Sequence, residues 1–159
     1  MNKKWTWYPK KNPEILRIFE DDVSDDWYDE LEAKPKSALL GKVLCCCASI
    51  AIAQAVIEKL YQNHKAYEEA RLLLELGRDW INSPTEERFS KITKFLFEDV
   101  QNWLEDDPRE VTWAALRVLT SSVGNYEAGY ELSCLTDYAD DANINSVEVS
   151  KEAILKYAK

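Results

Sequence analysis

The sequence predicts an all-α fold, a single-domain bundle of six or seven helices around a buried central helix at about residues 38–61. Three observations carry this. Residues 43–57 form an uncharged run in which only Ser49 and Gln54 are clearly polar. Its apolar side chains point to every side of a 3.6-residue period, and a helix hydrophobic all round is ordinarily a buried one. Second, most of the remaining chain repeats the spacing of amphipathic helices, and strand-like alternation is hard to find outside 145–149. Third, the chain holds only 4 Gly and 5 Pro. The prolines stand between the periodic segments, so helices should be long and connections short.

In chain order, residues 1–12 hold Trp5, Trp7 and Tyr8 among four lysines and read as an extended N-terminal arm. Asn12-Pro13-Glu14 supplies an N-cap, a proline at the first helical position and an acid at the positive end of the helix dipole. The short helix that follows, with Ile15, Leu16, Ile18 and Phe19 on its apolar side, should end near Asp21. A second short helix from about Ser24 places Trp27 and Leu31 four residues apart. After the central helix, segment 64–82 carries Tyr67, Ala70, Leu73, Leu74, Gly77, Trp80 and Ile81 at helical spacing. Ser83 with Glu86, and Pro84 between them, reads as a capping box opening the next helix. That helix carries Phe89, Ile92, Leu96, Val100, Trp103 and Leu104. Asp107-Pro108-Arg109-Glu110 repeats the capping pattern for a helix over 108–123, with Val111, Ala115 and Val118 on one stripe and Trp113 and Leu116 beside it. Segment 126–142 continues with Ala128, Leu132, Leu135, Ala139 and Ala142, and a last helix starts at Asn145. The junctions at Trp80 and Trp103 look alike, but their offset of about 23 residues falls short of the usual helical-pair repeats and reflects shared cap chemistry.

At 159 residues, one domain spanning 1–159 is expected, large enough to bury a sizeable core. The apolar run of the central helix is shorter than the roughly 20 residues that a bilayer requires. No membrane span is expected. The N-terminus lacks the apolar core of a secretory signal. The cysteines are Cys45, Cys46, Cys47 and Cys134. Three consecutive positions on a helix diverge by about 100° each, so they cannot converge on one metal ion. Buried free thiols behave as small hydrophobes, which implies a reducing compartment and a cytoplasmic protein.

The formal net charge is −9, and it is unevenly spread. Residues 20–33 hold eight acids and no base: Glu20, Asp21, Asp22, Asp25, Asp26, Asp29, Glu30 and Glu32. Phosphate binding needs Lys and Arg, so nucleic acid is an unexpected ligand. A basic protein partner is the electrostatically matched one. The candidate partner-binding residues are Asp21, Asp22, Asp25, Asp26, Trp27, Tyr28, Asp29 and Glu30, where two aromatic anchors sit among the acids. The acidic turn Glu105, Asp106 and Asp107 is the second candidate. The bland reading of both clusters is a solvated face.

Little in the chain suggests catalysis. It holds no Gly-rich phosphate loop and no HExxH motif. The one histidine, His64, leaves a Cys–His or Ser–His pair nothing else to be built on, and its place before a helix suits capping. Glu-x-x-His motifs of di-metal bundles are absent. A non-enzyme without cofactor or metal is expected.

Small-residue-rich helices in series, with the junction Ala70-Arg71 through Arg78-Asp79-Trp80-Ile81-Asn82-Ser83-Pro84 and the later Trp113-Ala114-Ala115-Leu116-Arg117, resemble the all-helical immunity proteins of bacterial polymorphic toxin systems. The resemblance covers residues 66–158 and is one of texture, without an invariant motif. It implies a protein that binds and neutralises a cognate toxin, and the chain's acidity points to a basic partner, a toxin or nuclease-like protein. Mimicry of nucleic acid by spaced carboxylates is a variant of that reading. The alternative from a different class is a structural or assembly module of a phage or host complex, whose acidity serves solubility.

Overall fold

The computed structural model describes residues 38–83, 85–97, 106–121 and 128–158. The expected arm 1–12, the two short N-terminal helices, Val100, Trp103 and Leu104 lie outside the described residues. Within them the fold is all-α, with six helices. These are α1 (Ala38–Leu60), α2 (Tyr67–Asn82), α3 (Glu86–Phe97), α4 (Pro108–Ser121), α5 (Ala128–Asp141) and α6 (Ser146–Ala158). Among the described residues no helix is long and apolar enough to cross a membrane. The alternation at 145–149 belongs to the start of α6, where Ser146 and Ser150 turn inward four residues apart.

Helix α1 packs against α2, α4, α5 and α6. Its residues from Leu44 to Ile50 are all buried, as are Ile52, Ala53, Val56 and Ile57. Past Ile50 one side opens. Ala51, Gln54 and Ala55 are half-buried and Glu58 is exposed, which corrects the expectation of burial on every side. This strip floors an open groove of about 520 Å³ between α2 and α6, lined also by Cys47, Ile81, Val149 and Ala153. On its rim Arg78 donates to Gln54 and pairs with Glu75, and Lys156 pairs with Glu152 at 3.6 Å.

Two buried hydroxyls join the layers. Ser49 Oγ lies 2.8 Å from the Cys46 carbonyl and 3.3 Å from the Ala115 carbonyl, a shared donation linking α1 to α4. Thr112 Oγ1 donates to the Ala70 carbonyl at 3.2 Å and links α4 to α2. A buried hydroxyl without such partners would be costly. Gly77 brings α2 close to both neighbours. A Cβ there would stand 2.7 Å from Ile50 Cδ1 and 3.0 Å from Leu116 Cδ2.

Among the described residues, helix α3 packs mainly on α2 and α4, and its buried residues are Ile92, Phe95 and Leu96. Trp80 meets Phe89 with ring centroids 6.0 Å apart, and Trp113 Nε1 donates to the Leu96 carbonyl at 3.4 Å. Its N-cap is Thr85, whose Oγ1 accepts the Arg88 N–H at 3.2 Å. Ser83, expected in that role, instead ends α2: its N–H donates to the Asp79 carbonyl at 2.9 Å. The start of α6 is as expected, with Asn145 Oδ1 accepting the Glu148 N–H at 3.1 Å. None of the four cysteines is in a disulfide. Cys45, Cys46 and Cys47 are buried, whereas Cys134, expected to be buried too, is exposed on α5.

Candidate functional site

Helices α1 and α4 run antiparallel, since Cys46 lies by Val118 and Ser49 by Ala115. The C-terminal end of α1 therefore meets the N-terminal end of α4. The end of α5 arrives at the same place, where Lys59 Nζ donates to the Asn143 carbonyl at 3.3 Å. Three helix termini thus enclose a pocket of about 270 Å³, lined by Leu60, Tyr61, Asp106, Glu110, Tyr138 and Asp141.

Each element positions its residues by local rules. Past α1 the chain turns at once: the His64 N–H donates to the Tyr61 carbonyl at 2.9 Å, and His64 Nδ1 accepts the Ala66 N–H at 3.0 Å. The imidazole is a local cap and also meets the Tyr61 ring edge-on at 6.0 Å. Helix α5 ends in a Schellman motif. The Ile144 N–H donates to the Ala139 carbonyl at 2.8 Å and the Asn143 N–H to the Asp140 carbonyl at 3.0 Å. Asn143 takes the left-handed position with φ 55°, where Asn is the best-tolerated substitute for Gly. Asp106 is also left-handed, with φ 62°, just before α4.

The acidic turn resolves into two residues with different surroundings. Asp107 is buried and caps α4: its Oδ1 accepts the Arg109 N–H at 2.8 Å. The Arg109 guanidinium closes a fork on the same carboxylate, donating from Nε to Oδ1 at 3.0 Å and from Nη2 to Oδ2 at 2.7 Å. Arg109 also reaches Glu69 at 3.4 Å. Hydrogen bonding from Arg109 holds the Asp107 carboxyl below the usual carboxylate range, against the opposing effect of burial. Asp107 is therefore a capping carboxylate neutralised within the protein, which corrects its reading as part of a solvated acidic face. Asp106 is exposed and lines the pocket. Glu105 lies outside the described residues, as do Asp21, Asp22, Asp25, Asp26, Trp27, Tyr28, Asp29 and Glu30.

Around Asp106 the structure gathers Glu110, Asp141, Tyr61 and Tyr138, which the sequence reading did not single out. The carboxylates leave an electrostatic trace. The Tyr61 hydroxyl is pushed above its ordinary range first by burial and then by Asp106, and that of Tyr138 first by burial and then by Glu110. Helix α5 has no base in its last turn, yet it ends on Asp140-Asp141. Carboxylates at the negative end of a helix dipole are each unfavourable by roughly 0.3–1 kcal/mol. Comparison with family models, curated proteins and solved structures finds no match to this chain. The chemistry of the pocket is thus read from its residues alone. Among the described residues no three His, Cys, Asp or Glu side chains are grouped to hold a metal ion. What the pocket offers is negative charge beside two aromatic rings and Leu60, which is 50% exposed.

Proposed function

We propose that the chain is a single helical bundle organised around α1 and works as a non-enzymatic, protein-binding inhibitor of the immunity type. It neutralises a basic partner through acidic surface, in a reducing, cytoplasmic setting. The observation that supports this most is the pocket at Asp106. Asp106, Glu110 and Asp141 come from two helix ends and line one concavity with Tyr61 and Tyr138. Such a concavity suits a lysine or arginine side chain, because the carboxylates attract its charge and the apolar wall takes its methylene stem. The position of Asp141 adds support: a carboxylate at the wrong end of a dipole opposes the stability of its own helix, and such local conflicts gather at functional sites. The cluster Asp21, Asp22, Asp25, Asp26, Asp29 and Glu30, with Trp27 and Tyr28, is the second surface in this proposal.

The partner is to be captured from the native host with the full-length chain as bait. Two variants are then compared in stopped-flow association at low and at moderate salt. One carries Asp106→Asn, Glu110→Gln and Asp141→Asn, the other Asp22→Asn, Asp25→Asn, Asp26→Asn and Asp29→Asn. Loss of steering at the contacting surface should slow association by roughly tenfold, and the deficit should shrink as salt rises. If both folded variants associate at the parental rate at low salt, acidic recognition is wrong.

A further inference from the structure

We draw no further inference here: the strongest candidate, the open groove along α1 between α2 and α6 floored by Cys47, Ala51 and Ala55, is an unpartnered face whose rim charges are paired within the protein, and nothing in the structure shows what covers it.

Discussion

Replacing Asp107 separates two jobs that one carboxylate performs. Asp107→Ala removes the acceptor for the Arg109 N–H and the partner of the Arg109 guanidinium together. Loss of an N-cap costs about 0.5–2 kcal/mol. The ion pair adds less than a fully buried one would, because the Arg109 side chain stays 24% exposed and keeps Glu69 within reach; about 1 kcal/mol is a reasonable share for a pair between the surface and buried limits. The alanine variant should therefore lose about 2–3 kcal/mol in urea unfolding at pH 7. Asp107→Asn keeps an oxygen for the cap and loses the charge, so it should lose only about half as much. The acid limb gives an independent check. The folded pKa lies below the unfolded one, so between them the unfolded chain binds more protons. The carboxylate's stabilisation is then fully present above the unfolded value, about pH 4, and fades as pH falls through the folded value. The parent should lose this increment below about pH 4, whereas the asparagine variant has none to lose there. Equal stability of the parent and the alanine variant at pH 7 would refute the assignment of Asp107 as cap and ion-pair partner.

Three further outcomes are expected. Ile50→Asp places a charge at a 4% exposed position and should unfold the protein by circular dichroism, whereas Ala51→Trp, one residue on, projects into the groove and should shift Tm by only a few degrees; equal damage from both would show that the groove is closed in solution. Gly77→Val should cost several kcal/mol, since its branches must displace Ile50 and Leu116, while Gly77→Ala should be much milder because the nearest atom is the mobile end of Ile50 and alanine favours the helix by about 1 kcal/mol; a denaturant melt that ranks them the other way would overturn this packing. In native thiol labelling with mass readout, Cys134 should react quickly and Cys45, Cys46 and Cys47 only once denaturant is added, and more than one fast thiol would contradict the burial of α1.

Helix positions were the legible part of the sequence, because apolar spacing and cap residues are both local signals. Leu74, Trp80 and Ile81 on α2, Val111, Ala115 and Val118 on α4, and Leu132, Leu135 and Ala139 on α5 are buried as their spacing predicts. Errors arose where a local pattern had two physical solutions. Ser83 and Thr85 both offer a hydroxyl before α3, and the one that fits depends on where α2 releases the chain. Cys134 and Ala51 are small and apolar, and composition alone cannot say whether a neighbour covers them. Asp107 was legible as a cap from Pro108 and Glu110 after it, but not its burial or the fork from Arg109; Asp106 beside it gave no sign that it walls a pocket.

Of the pocket's lining only Asp106 was a candidate from the sequence, and what was missing concerns topology. Tyr61, Asp106 and Asp141 are separated by tens of residues, and nothing in their spacing brings them together. Their union follows from the antiparallel run of α1 against α4 and the arrival of α5 at the same end. A local signal was nevertheless present. A helix predicted over 126–142 that ends on Asp140-Asp141, with no base in its last turn, opposes its own dipole. At one such position the conflict has little meaning. Here Asp141 lines a concavity with a carboxylate from the start of α4, where negative charge is favoured, and with Glu110 one turn on. Favourable and unfavourable placements thus contribute to the same concentration of charge. A surface selected only for solubility has no reason to gather acids at the one helix end that resists them, since any exposed site would serve. Replacing Asp141 with Asn should accordingly raise stability by roughly 0.3–1 kcal/mol while weakening capture of a basic partner, a trade expected of a binding residue. A gain in both, measured by urea unfolding and by association rate, would return Asp141 to ordinary surface.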